Sequence, residues 1–362
     1  MQDPSRQRGR SRLGSIASRL SPALLAAGGL ALFLYVVGRS GVTVSMLRGV
    51  GLDALLVLVG VSAAVMLLDT VAWTFAVRHV ARPHFGRLFV LKLAGDALTN
   101  GLPGGVVLGE PYKALMLRAW HGVSLADNAA VLVVLKLCVA LSQVVFVLAG
   151  LTLAYPLLRD RSHELVGFHG AHLAALGLTA GLVLVLGLSL WFFVRGRSFA
   201  DVARLLALLP LSPLRRFLSR RAEGIAALDR AASAVLKGNL RNLAVTFLAY
   251  ELGWFVGVVE TYLLLGFLGL PASVTTALVI ESVGSLFRLI FFMFPSGIGG
   301  QDASFLALFR LYGFGVPAGG AFVLLKRGKE AVWIAVGFLF VALLRRSHRA
   351  AAKSAERDGS SS

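Results

Sequence analysis

Six stretches of this chain, 20–38, 52–77, 125–155, 171–194, 243–270 and 318–344, are each apolar over roughly the length a helix needs to cross a bilayer. In lipid the backbone polar groups must find partners within the same segment, so stretches of this kind are restricted to helices. The composition agrees. Of 362 residues 57% are hydrophobic and only 15% charged, with a mean hydropathy of +0.79, whereas soluble domains carry about 25% charged residues. An all-α integral membrane protein, a polytopic helical bundle, is predicted. The 20–38 stretch follows basic sequence and resembles a signal peptide, but no small-residue cleavage site follows Gly38, so it is expected to stay as a helix.

Two further apolar stretches, 88–120 and 274–312, are broken in the middle. The first break holds Gly101, Pro103, Gly104 and Gly105, and the second holds Pro295, Gly297, Gly299 and Gly300. At membrane depth such breaks are tolerated only inside protein or beside a watery cavity, so both stretches are expected to be re-entrant helical hairpins. They also align. Asp69 matches Glu260, Pro83 matches Pro271, Lys92 and Gly95 match Glu281 and Gly284, and Gly105 with Glu110 matches Gly300 with Asp302. Further on, Arg118 matches Arg310, Gly122 matches Gly313, and "AVLVVLK" ending at Lys136 matches "AFVLLK" ending at Lys326. Threading the six spans gives the two copies opposite directions. Two inverted repeats, the arrangement of many secondary transporters, are therefore expected, with a site near the midplane.

The basic residues set the orientation. They crowd the N-terminus, the segment after the second span, the 195–241 connection and the tail, which fall on one side of the threaded chain. The positive-inside rule then puts both termini of a multi-pass protein in the cytoplasm, and a bacterial-type inner membrane is the expected location. The net charge of +18 accordingly reads as a topology and anionic-lipid signal; no nucleic-acid motif accompanies it, and no nucleic-acid partner is expected. The predicted layout is a basic N-terminus and first helix (1–51), repeat A (52–155), a connecting helix and basic loop (156–242), repeat B (243–344) and a basic disordered tail (345–362). Within the connection, 200–236 alternates apolar residues with arginines, which fits an amphipathic helix on the cytoplasmic leaflet or a solvated basic linker.

Charges inside these apolar stretches are the candidate site, because an intramembrane charge is costly unless paired or wetted. Glu110 follows Gly109 and precedes Pro111, which reads as a helix start, and Asp302 follows Gly300 in the same way. Both carboxylates are therefore either helix caps or groups for gating or proton coupling, and Glu281 and Glu330 are further candidates for gating or proton coupling. Lys113, Arg118, Lys136, Arg288, Lys326 and Arg327 are candidate lipid-headgroup ligands, since lysine and arginine give charge-assisted hydrogen bonds to phosphate oxygens. Lys326 and Glu330 are spaced i,i+4, which suits an ion pair on one helix face.

The series "PGG…GEPYK…LR…G…A" and "IES…FR…FPSGIGGQD…LF…G", followed by "LLKRGKE", resembles the lysylphosphatidylglycerol synthase transmembrane-region family, also called flippase-like membrane proteins. The second copy is most similar to HpnL-type hopanoid-associated members. Where that family commonly has Gly-x-Gln-Glu, this chain has Gly300, Gln301 and Asp302, a shorter acid. The soluble aminoacyl-transferase domain of the lysyl-lipid synthases has no counterpart in these residues. The resemblance implies lipid handling, as translocation of a phospholipid or an isoprenoid or hopanoid-type lipid between leaflets, without lipid-modifying chemistry.

Enzymatic readings find little support. The lone Cys138 excludes a disulfide framework or thiolate cluster, His169 and His172 lack a carboxylate companion, and no P-loop, G-x-S-x-G or H-E-x-x-H pattern occurs. No metal and no cofactor are expected. Membrane lipids with anionic headgroups are the expected partners. The rival functions are a non-transporting accessory subunit that docks a lipid-biosynthesis enzyme, and a membrane-embedded lipid transferase with Glu110 or Asp302 as general base.

Overall fold

The computed structural model describes residues 51–102, 105–166, 170–195, 222–238, 240–291 and 298–359, together with positions 31, 34, 35, 38, 41, 201, 203, 204, 219 and 220. The regular structure among them is helical: α1 (Leu52–Val77), α2 (Phe85–Gly101), α3 (Val106–His121), α4 (Leu125–Val166), α5 (Ala171–Arg195), α6 (Ala222–Gly238), α7 (Leu240–Phe267), α8 (Val274–Ile290), α9 (Gly300–Leu311) and α10 (Val316–Gly359). Most of the 20–38 span, and Pro103, Gly104, Pro295 and Gly297 of the two breaks, lie outside the described residues.

Three described helices are long and apolar enough to cross a membrane: α1, the Leu125–Asp160 part of α4, and α7. The 171–194 stretch is helical, with its apolar part over His172–Leu188. The 318–344 stretch lies within α10, where Lys326, Arg327, Lys329 and Glu330 interrupt the apolar run. That helix continues to Gly359, so the segment read as a disordered tail is largely helical, as its alanine, arginine and lysine content favours. The two broken stretches are each a pair of helices, α2 with α3 and α8 with α9.

The described chain groups into two compact units. One comprises the described residues within 1–55, 93–109 and 284–362, the other those within 56–92 and 110–283. Each draws on both halves of the sequence, a grouping by contact that differs from the sequence partition into repeats.

In the second unit α4 is the central helix, packed by α5, α6 and α7. Its core joins Trp73 and Val77 of α1, Leu88 and Leu91 of α2, Leu117 of α3 and Val131, Val134 and Leu135 of α4. Ala232 and Val235 of α6 belong to the same core. The apolar face of this amphipathic helix is thus laid on protein, while Glu223 and Arg230 remain exposed. Farther along α4, Phe146 stacks on Trp254 of α7 at 5.4 Å, and the Trp254 indole N–H donates to Ser142 Oγ at 3.0 Å.

The first unit is held by glycine contacts and a phenylalanine cluster. A side chain at Gly105 would run into the carbonyl oxygens of Leu98 and Thr99, and one at Gly109 into Thr99 Oγ1 and the Gly95 carbonyl, so the start of α3 meets α2 backbone to backbone. Small residues permit such close helix approach where apolar burial gives no drive, as within lipid. On α10, Gly337 likewise abuts the Leu93 carbonyl and Ala97 of α2. Phe322 of α10 packs against Phe305 and Phe309 of α9, with centroids 5.1 and 4.9 Å away.

Candidate functional site

Two clusters of charged side chains stand out, one in each unit. That of the second unit is built on α3 and α4. The expectation that a helix starts at Pro111 is corrected: α3 begins at Val106, and Pro111 lies inside it. The turn at Gly105 explains the earlier start, since the Gly105 N–H donates to the Leu102 carbonyl and the Gly109 N–H to that of Gly105, each at 2.9 Å. Glu110 therefore sits beyond the first turn, where its carboxylate is free to meet side chains.

Both lysines of this cluster use the same carboxylate oxygen. Lys113 Nζ donates to Glu110 Oε1 at 3.0 Å, and Lys136 Nζ lies 2.8 Å from the same atom. Glu110 Oε2 is buried and makes no hydrogen bond to a described residue. The lysines differ in surroundings. The Lys113 side chain is 9% exposed, with its ammonium 5.7 Å from the Trp73 ring centre, whereas Lys136 is 62% exposed. Lys136 and Glu110 edge a groove of about 440 Å³, walled by Leu132, Leu137 and Ala140 of α4 and Leu186 of α5. The three side chains sum to one positive charge at the edge of an apolar groove. Arg118, on the same helix as Glu110, is exposed and has no ion pair among the described residues.

The first unit holds the other cluster. Gly299, with φ at 88°, occupies a conformation natural only to glycine, and its N–H donates to Asp302 Oδ2 at 2.8 Å. The other oxygen of Asp302 accepts from Arg327 Nε at 2.9 Å and Nη2 at 2.7 Å. Arg327 Nη1 donates to Glu330 Oε2 at 2.6 Å, Arg288 Nη2 to Glu330 Oε1 at 3.1 Å, and Arg288 Nε to Gln301 Oε1 at 3.0 Å. Two guanidinium groups thus meet two carboxylates in one chain of bonds. Its centre is buried, Asp302 at 2% exposure and Arg327 at 12%. Glu330, expected to pair with Lys326, is bound by both arginines, while the Lys326 ammonium lies 5.4 Å over each of the Phe305 and Phe322 rings.

Glu281 belongs with neither cluster. It accepts from Thr261 Oγ1 at 2.6 Å, joining α8 to α7, and Asp69 with Lys92 at 3.1 Å joins α1 to α2. Sequence reasoning missed Trp73 and Thr261, which carried no signal beyond residue type, and it quoted Gln301 within the motif that ends at Asp302 without giving it a role.

The profile of the lysylphosphatidylglycerol synthase TM region matches residues 19–337, which include both clusters and the groove. No curated protein and no solved structure was found to match the chain. Helices long and apolar enough to span, two apolar stretches each divided into a pair of helices, and a profile match over most of the chain lead to one conclusion: this protein belongs to the lysylphosphatidylglycerol synthase transmembrane-region family, a family of membrane domains distinct from the soluble transferase domain.

Proposed function

We propose that this protein moves a lipid with an anionic headgroup between membrane leaflets, with the Lys136 groove receiving the headgroup. The observation that carries this reading is the pairing of an exposed ammonium with an apolar wall. A phosphate oxygen draws Lys136 away from Glu110 at little cost, because Lys113 still neutralises that carboxylate. Leu132, Leu137, Ala140 and Leu186 are suited to acyl, isoprenoid or hopanoid tails alike. The network around Asp302 has a different task. Its charges satisfy one another, which favours holding α8, α9 and α10 together over binding a ligand.

In this reading the α2/α3 and α8/α9 pairs are re-entrant hairpins of two inverted repeats, and both termini are cytoplasmic. Support comes from the corresponding sequence breaks and from the aligned Lys92 and Glu281, which tie to Asp69 and to Thr261, the latter one residue beyond Glu260, the counterpart of Asp69. Gating by Glu110 follows from its shared oxygen, since a headgroup that takes Lys136 leaves the carboxylate with one partner.

The test is exchange of a fluorescent phosphatidylglycerol across liposomes containing the purified protein. Exchange that exceeds protein-free liposomes and falls in Lys136→Gln supports transport. Binding without exchange would instead favour the accessory role, and a chemically altered lipid would favour a transferase.

A further inference from the structure

Glu251 lies near the middle of α7, one of the three described helices able to span a membrane. Its Oε2 is buried, and neither a hydrogen bond nor an ion pair ties the side chain to a described residue. Other carboxylates of the same unit are engaged: Asp69 by Lys92, Glu110 by two lysines, and Glu281 by Thr261. A carboxylate at this depth requires a cation or a proton from elsewhere.

The surroundings point to the kind of cation. Trp254 and Phe255 follow at i+3 and i+4 and so share the side of α7 on which Glu251 lies. Both rings meet Phe146, Trp254 stacked at 5.4 Å and Phe255 edge-on at 6.3 Å. The bond from Trp254 to Ser142 fixes the indole. Phe255 is 46% exposed and Leu248 and Leu252 are each 55% exposed, so this side of α7 is open to an incoming group. A hard metal ion would need more oxygen ligands than one carboxylate offers. Aromatic rings one helical turn along from a carboxylate suit a weakly hydrated alkylammonium.

We propose that Glu251, Trp254 and Phe255 form a second binding site, for a substituted ammonium group carried by a zwitterionic lipid headgroup or by a small amine. The site is independent of the Lys136 groove.

The full-length protein in phosphatidylglycerol nanodiscs is the material for the test, with tetramethylammonium as one probe and trace labelled phosphatidylcholine as the other. Glu251→Gln should weaken binding about tenfold and Phe255→Leu roughly threefold. Preference for the lipid probe assigns the site to a headgroup, preference for tetramethylammonium to a small amine, and competition between them to both. If Glu251→Gln does not fold, Phe255→Leu at its exposed position decides. Equal binding by wild type and the folded variants overturns the proposal, as does failure of the wild type to bind either probe while Glu251→Gln alters only proton uptake; Glu251 is then a proton carrier.

Discussion

Replacing Lys136 by glutamine should abolish most lipid capture and leave the fold intact, whereas replacing Lys113 should do the reverse. The two lysines share one oxygen of Glu110, but one is exposed and the other buried. An exposed ion pair adds about 0–1 kcal/mol to stability, so loss of Lys136 should hardly lower the melting temperature. A hydrogen bond from an ammonium to a phosphate oxygen is worth about 1.5–3 kcal/mol, roughly a tenfold to hundredfold loss of headgroup affinity. Without Lys113, Glu110 keeps only an exposed partner while Oε2 stays buried and unbonded, at a cost of about 1–3 kcal/mol. Thermal unfolding in detergent measures the first quantity, and fluorescent phosphatidylglycerol exchange in liposomes the second. Equal destabilisation by both variants, or wild-type exchange in Lys136→Gln, would refute the division of labour.

Arg327→Met leaves Asp302 and Glu330 short of their shared cation and should cost about 3–5 kcal/mol, read as a large fall in melting temperature. Asp302→Asn keeps an acceptor for the Gly299 N–H and loses the charge opposite Arg327, so its fall should be the smaller one. Gly109→Ala drives a methyl into Thr99 and the Gly95 carbonyl and should destabilise by about 1–3 kcal/mol in the same assay. Val235→Asp puts an unpaired charge into the core that holds α6, and tryptic cleavage after exposed Arg230 should accelerate.

The helical class and the interruption of the 88–120 and 274–312 stretches were legible because apolar runs of spanning length leave the backbone little but a helix, and glycine and proline break one directly, whatever packs around them. The start of α3 was not: Pro111 is a good first residue, but the glycines at 105 and 109 let the helix begin earlier against α2. Glu110 and Asp302 look alike in sequence and differ in structure. Which cation each meets depends on the rotation of α4 and α10, a tertiary property that no local spacing encodes. The amphipathic face of α6 was legible as a face, but a helical period cannot say whether lipid or protein covers it. Glu251 drew no attention as one acid in an apolar run, because a missing partner is visible only once the neighbours are placed.

The glycine joint between α2 and α3 sets how this hairpin responds to its surroundings. Helices that meet through backbone at Gly105 and Gly109 gain little from expelling water, because there is little side-chain surface to hide. Their attraction comes from close atomic contact, which is nearly as strong against hydrocarbon as against a wet cavity. Such a joint is indifferent to solvent. The contact between the two helices therefore depends little on which of the two surrounds it.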